Sequence, residues 1–472
     1  MIKHFQLIYD YADIRRTLML FERKAYQDLL EWKNLSNGTT AAFIEGARRV
    51  GKSTIAEEFA KHEYEDYLII DFATETERIR NLFREDIGNM DTFFRNLSII
   101  KSKDLPRRKS VIILDEIQLF PQARQAIKYL VKDGRYDYIE TGSLISIRRN
   151  KEKILIPSEE YPIKMFPMDF EEFLWARGDK VTFEAIRQAY ASCESLGDTL
   201  HREIMKRFKE YMVVGGMPQV ISIFVNGGSY AQIDLQKLTI LNLYEHDLKQ
   251  YDRDNNTRSS VIFSSIPEQL HNHNSHFKFS LIDKNARYRD YVDAVDFIGD
   301  SMMGNVCTGV SMPAVDLESY ADKSQFKLYM GDTGLLLSKM ISFNKFDRDQ
   351  LYSAILFDKI GIDYGYIFEN ITAQMLRAAG HNLYYHNFEY SPGESTTVTR
   401  ANKYEIDFLI VKNRHVCPVE VKSSSYKRHA SFDYFRKKYS NLKMSNRYII
   451  YTKDFRREKD INYLPIYMTG LL

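Results

Sequence analysis

Two groups of residues have the types and spacing that chemistry requires, and they lie far apart in a chain of 472 residues. The first is "GARRVGKST", Gly46 to Thr54, which from Gly46 to Ser53 fits G-x-x-x-x-G-K-[ST]. Its glycines allow backbone angles at which successive N–H groups converge on phosphate. Gly46, Ala47, Arg48, Arg49, Val50, Gly51, Lys52, Ser53 and Thr54 are therefore candidate nucleotide contacts. Lys52 would reach the β- and γ-phosphates of ATP, and Ser53 would place its hydroxyl on Mg²⁺. A helix starting there adds the positive end of its dipole. Arg48 and Arg49 stay undecided between phosphate contact and solvent. The partner stretch is "SVIILDEIQLF", in which Asp115 and Glu116 follow four apolar residues. Asp115 would hold Mg²⁺ through water, and Glu116 would polarise the attacking water. A solvated turn after a core strand would also explain the two carboxylates, but the upstream loop weighs against it. "DYIETGS" ends in Thr141, Gly142 and Ser143, whose polar groups could sense a γ-phosphate; a strand-end turn explains them almost as well. Arg148 and Arg149 suit solvated loop charges better than an arginine finger.

The second group lies near the C-terminus. In "YEIDFLIV", Asp407, Leu409 and Val411 share one face of a strand, and Ile406, Phe408 and Ile410 the other. In "HVCPVEVKSS", period two puts Glu420 and Lys422 side by side on the next strand. Two carboxylates meeting at one point can hold a divalent metal, which makes a bound water nucleophilic near neutral pH. A nearby lysine can orient that water or offset phosphate charge. Glu369, on the helical pattern "YGYIFENITAQMLRAAG", could complete a metal set with Asp407 and Glu420. This is the D…E-x-K arrangement of the restriction-endonuclease-like nucleases, which the domain resembles. A charged amphipathic hairpin is the plainer explanation, because Glu-Val-Lys is common in strands.

Elements must position both groups. "AAFIEGARRVGKSTIAEEFAKH" reads as strand, loop and helix, with Ile55, Phe59 and Ala60 at helix spacing. The unbroken apolar run Val111 to Leu114 suggests a strand buried on both faces, as in a parallel sheet. Carboxylates at its C-terminal end stand where α/β proteins put their ligands. With "YLIIDFA" and "YPIKMF" as further strands, five strands alternating with helices make a doubly wound α/β domain.

"GARRVGKST", "ILDEIQ", "ETGS", "YPIKMFPMDFEEFL" and "YMVVGGMPQVI" together resemble a prokaryotic family of AAA-type P-loop ATPases. That family carries a C-terminal domain of unknown function resembling nucleases. The resemblance implies ATP and Mg²⁺ at Lys52, Ser53, Asp115 and Glu116. It also implies a winged-helix-like segment in the middle of the chain.

That middle is helical from about 170 to 255, with a stop at Gly215-Gly216 and Pro218 just beyond. Asp247 and Asp252 read as solvent-facing charges on an amphipathic helix. Residues 258 to 310 hold short helical stripes, where Lys284, Arg287 and Arg289 could face DNA phosphates. "HNHNSH", with His271, His273 and His276, reads as a polar loop before it reads as a metal site. Lys427, Arg428, Arg436, Lys437 and Lys438 interleave with aromatics, which suits a nucleic-acid backbone or a solvated helix face.

Composition narrows the class. Net charge is +2, so the chain has no global basic character, although a local basic face remains open. Three scattered cysteines argue against disulfides or structural zinc and favour a reducing cytoplasm. No apolar run approaches the roughly 20 residues that cross a bilayer, and the N-terminus lacks a signal-peptide core. The expectation is a multidomain α/β protein in four parts. A P-loop domain occupies 1–170, a helical lid or linker 171–255, a winged-helix-like segment 256–325 and a nuclease-like domain 326–472. It would bind and hydrolyse ATP and couple nucleotide state to a C-terminal domain directed at DNA, with oligomerisation left open. Two alternatives stand beside it: a nucleotide-gated DNA-binding switch with little turnover, and an ATP-regulated, Mg²⁺-dependent endonuclease.

Overall fold

The computed structural model describes residues 21–142, 157–252, 258–272, 274–342, 347–357, 365–391, 402–423 and 429–472. Ser143, Arg148, Arg149, His273, Lys427 and Arg428 lie outside the described residues. The chain forms two compact units that divide after Met168.

The first unit begins with α1 (Lys24–Ser36), ended by Asn37 in the left-handed region. Then come β1 (Ala41–Gly46), α2 (Lys52–Glu63) and β2 (Asp66–Asp71). A short α3 (Glu77–Asn81) and α4 (Met90–Lys101) lead to β3 (Ser110–Asp115). α5 (Pro121–Asp133), β4 (Asp137–Gly142) and β5 (Glu160–Met165) complete it. All strand pairs are parallel, in the order β2-β3-β4-β1-β5. β1 is buried along its whole length, Glu45 included, as an inner strand of a parallel sheet covered on both faces. One face of the sheet packs an aromatic core in which Phe72, Phe83, Phe93 and Phe120 meet edge-on or tilted. On α2, Ile55, Ala56, Phe59 and Ala60 are the buried stripe. The expected doubly wound parallel sheet is therefore present, and it directs the ends of β1, β3 and β4 toward one edge.

The second unit opens with α6 (Phe170–Ala176), started by a reciprocal capping box between Asp169 and Glu172. α7 (Thr182–Ser192), α8 (Asp198–Val214), α9 (Pro218–Val225) and α10 (Tyr230–Asp252) follow. Asp252 is not solvent-facing as its helical phase suggests. It is buried and accepts the N–H groups of Ser259 and Ser260 at 2.9 Å, capping α11 (Arg258–His271). α12 (Val292–Asp300) precedes β6 (Gly304–Val310) and β7 (Ala321–Met330). Then come α13 (Thr333–Ser342), α14 (Arg348–Leu356) and α15 (Gly365–Ala378). β8 (Leu383–Tyr390), β9 (Asn402–Lys412), β10 (His415–Val421), α16 (Ala430–Lys438), β11 (Arg447–Tyr451), β12 (Arg456–Glu458) and β13 (Ile461–Pro465) finish the chain.

Eight strands make one mixed sheet, in the order β12-β13-β11-β10-β9-β8-β6-β7. β6 and β7 enter it through the parallel β6–β8 pairing. The helical segment is fastened to the C-terminal residues: His201 on α8 meets the Tyr467 hydroxyl at 2.9 Å. Two turns also interlock. At Gly215 (φ 86°) a Cβ would lie 2.4 Å from an Asp332 carboxylate oxygen, and at Gly334 one would lie 2.5 Å from the Val214 carbonyl. The Asp332 carboxylate accepts Gly216 N–H at 2.6 Å and Leu335 N–H at 2.9 Å. No helix among the described residues is long and apolar enough to cross a membrane.

Candidate nucleotide site and a buried acidic site

β1 delivers the loop. A Cβ on Gly46 would sit 2.2 Å from the Met165 carbonyl, so the chain can pass β5 there only as glycine. Arg49 (φ 71°) and Gly51 (φ 100°) take left-handed angles, and Gly51 immediately precedes α2. Lys52 is buried, and its ammonium donates to the Gly46 and Ala47 carbonyls at 3.0 Å each. Ala47 and Val50 are buried, whereas Arg49, Ser53 and Thr54 are exposed and Arg48 is half-buried.

Three elements meet at Asp115. Ser53 Oγ donates to Asp115 Oδ1 at 2.7 Å, and the Thr141 hydroxyl donates to the same oxygen. Glu116 N–H reaches Thr141 Oγ1 at 3.4 Å. Glu116 itself is left-handed (φ 51°), an uncommon conformation for glutamate that clusters at functional sites. The Gln118 amide donates to its carboxylate. Hydroxyl and carboxylate oxygens are the donor set that Mg²⁺ takes, so Ser53 and Asp115 fit that ion.

Sequence reasoning missed Arg23. It is buried, and its guanidinium donates to the Val50 carbonyl at 2.6 Å and the Phe166 carbonyl at 2.8 Å. It thereby ties the phosphate loop to the end of β5. A single arginine in "FERKAYQ" carries no periodic signal that would reveal this.

In the second unit, β9, β10, β7 and α15 bring six charged side chains together. Asp407 Oδ2 accepts Val421 N–H at 2.7 Å. Glu420 Oε1 pairs with Lys422 at 2.6 Å, while its Oε2 is buried without a hydrogen-bond partner. Glu369 accepts the Tyr329 hydroxyl at 3.1 Å and lies 3.8 Å from Lys327. Lys327, also buried, pairs with Glu405 at 2.5 Å. Lys327 and Glu405 are the members that sequence reasoning missed. Glu405 stands two residues before Asp407, on the same strand face, so the period-two pattern contained it.

The electrostatics are strained. Burial pushes the Asp407 carboxyl well above its ordinary value; Glu369, Glu405 and Glu420 push it further, against Lys327. Burial also raises Glu405 and Glu420, opposed by Lys327 and Lys422 respectively. Burial alone would lower Lys327, but Glu369, Glu405 and Asp407 outweigh it and hold the ammonium charged. The orphaned Glu420 oxygen and the surplus of carboxylates fit a divalent cation. Even so, among the described residues no three His, Cys, Asp or Glu side chains are already arranged to hold one. A cleft of about 190 Å³ opens onto Lys327, Glu369 and Glu405, with Gln269, His276 and Phe277 on its walls.

The other basic candidates divide. Lys284, Arg287 and Arg289 are exposed. On α16, Arg436 lies 3.3 Å from Asp460, and Lys438 donates to the Glu389 carbonyl at 3.0 Å. His271 packs its ring edge-on to Tyr366.

Three stretches of the chain match known family models. Residues 38–174 match the family model AAA_14, an AAA domain. Residues 205–346 and 364–469 match two domains of unknown function, DUF8612 and DUF4143. Residues 38–174 therefore carry an AAA-type domain, which supports nucleotide binding there. No curated protein shows significant sequence similarity to the chain. Among solved structures, a RuvB variant from Thermotoga maritima is similar at 10% identity, over 60% of this chain and 89% of that one, with a TM-score of 0.28. A STAND protein (signal transduction ATPase with numerous domains) with a tetratricopeptide repeat sensor, from Pyrococcus horikoshii, is similar at 12% identity over 75% and 48%, with a TM-score of 0.24. Cdc6p from Pyrobaculum aerophilum gives 9% over 75% and 96%, also at 0.24. Likeness at this level adds nothing to the fold read from the sheet itself.

Proposed function

We propose that the first unit hydrolyses ATP and that its nucleotide state is coupled to the second unit, a nuclease-like domain directed at DNA. The observation that carries the ATPase reading is the meeting of Ser53, Asp115 and Thr141, with Glu116 held beside them by Gln118. Lys52 would exchange its loop carbonyls for the β- and γ-phosphates. The loop amides would bind the same phosphates, and Ser53 and Asp115 would hold Mg²⁺. When bound, that ion offsets phosphate charge. Glu116 would orient a water in line with the γ-phosphate and accept its proton. Thr141 would hold Asp115 in place from β4. Steady-state ATP hydrolysis tests this. Glu116→Gln should retain ATP binding and lose turnover, and Lys52→Ala should lose binding. Normal turnover by Glu116→Gln would remove Glu116 from the mechanism. A wild type that binds ATP but scarcely turns it over, with or without DNA, would favour a nucleotide-gated switch.

A second reading, a metal-dependent endonuclease in the second unit, is favoured by the buried, unpartnered oxygen of Glu420. Asp407 and Glu420 would hold the metal, and Lys422 would face the phosphate undergoing attack. Plasmid cleavage in Mg²⁺ or Mn²⁺ that Asp407→Ala or Lys422→Ala removes would support it. Intact plasmid at high protein concentration would count against it.

A further inference from the structure

The reach of Lys327 is unusual. It sits on β7, and Glu405 sits on β9, with β6 and β8 between them in the sheet. An ion pair that only fastened a sheet would join neighbouring strands. Here the lysine instead lies over the sheet, its ammonium 5.4 Å from the centre of the Tyr385 ring on β8, to reach Glu405 at 2.5 Å and Glu369 at 3.8 Å. It is buried as it does so, at 8% exposure. Carboxylates outnumber ammonium groups around it: Glu369, Glu405, Asp407 and Glu420 stand with only Lys327 and Lys422. Independently, Glu420 keeps a buried oxygen with no partner. The cleft ends on Lys327, Glu369 and Glu405, so a small hydrated ion has a route to them.

We propose that Lys327 is the resident counter-ion of this site: it occupies Glu405 and Glu369 while no metal is present and competes with a divalent cation for them. Glu405 then belongs to the metal-binding set with Asp407 and Glu420. The proposal rests on the reading of this site as metal-binding, and the test separates the two. Mn²⁺ binding to the full chain is measured without nucleotide, by titration calorimetry and by paramagnetic resonance of free Mn²⁺. The binding that Asp407→Asn removes belongs to this site. At that site Lys327→Met should bind Mn²⁺ about tenfold more tightly than wild type, because a competing charge is gone. Glu405→Gln should bind more weakly. Should Lys327→Met be poorly folded without metal, its melting temperature supplies the same answer: Mn²⁺ should raise it by more than it raises that of wild type. Unchanged or weaker binding by Lys327→Met, with Asp407→Asn still abolishing binding, would overturn the counter-ion role and leave the metal site standing. If Asp407→Asn removes no Mn²⁺ binding from wild type, the metal reading fails and the proposal fails with it.

Discussion

At the end of β3 the acidic groups are half-buried, and their partners are neutral. Asp115 takes hydroxyls from Ser53 and Thr141, and Glu116 takes the Gln118 amide. Around β9 and β10 Glu420 is buried while Asp407 and Glu405 are half-buried, and Glu405 and Glu420 pair with the ammonium groups of Lys327 and Lys422. Neutral partners can be exchanged for a ligand without stranding a charge. Charged partners cannot, because removing one leaves an uncompensated ion in a medium that solvates it poorly. Loading a ligand at the first site would therefore strand no charge, whereas displacing a lysine at the second would strand one unless another cation took its place.

That contrast can be broken by substitution. The largest effect should come at the first site in turnover and not in stability: Glu116→Gln should cut the ATP hydrolysis rate by roughly 10²–10⁴-fold with an unchanged melting temperature. At the second site the order reverses. Metal-free Lys327→Met should lose about 3–5 kcal/mol in denaturant unfolding, because Glu405, which burial already raises, loses the ammonium that opposes that rise. A loss no greater than that of an exposed lysine would mean that the carboxylates are not ionised there. Arg23→Ala should cost about 1–3 kcal/mol by stranding the Val50 and Phe166 carbonyls, and it should weaken ATP affinity through the loosened loop. If affinity holds while stability falls, Arg23 serves the fold alone. The smallest effect has the opposite sign. Asp407→Asn keeps an acceptor for the Val421 N–H and removes one of four crowded carboxyls. It should raise metal-free stability by about 1 kcal/mol, seen as a higher melting temperature; a lower one would show that Asp407 is well compensated as it stands.

The same contrast explains what the sequence could be made to show. The phosphate loop is contiguous, so its chemistry is written as spacing, and the parallel sheet follows from unbroken apolar runs such as Val111 to Leu114. Asp407, Glu420 and Lys422 were legible because strand periodicity puts alternate residues on one face. Lys327 was not, because it reaches its partners over two intervening strands, and no local pattern encodes strand order. Asp252 was misread for a related reason. Helical phase assigns it to solvent, but the N–H groups it caps belong to the next helix. Arg23 serves carbonyls 27 and 143 residues away. For Arg23 and Lys327 the deciding partner is remote in sequence; for Asp252 it lies seven and eight residues on, across the break between two helices.

The interlocked turns at Gly215 and Gly334 have a mechanical corollary. Asp332 grips the double-glycine turn, and its neighbour Thr333 is bonded to Gln374 at 2.8 Å and to Asn370 at 2.9 Å on α15. Asn370 also takes Met330 N–H at the end of β7, one residue from the tyrosine that holds Glu369. Asp332, Thr333, Asn370, Gln374 and Met330 are all buried. A change at the double-glycine turn that broke any of these bonds would leave its partner unsatisfied away from solvent, along a path that ends beside Glu369.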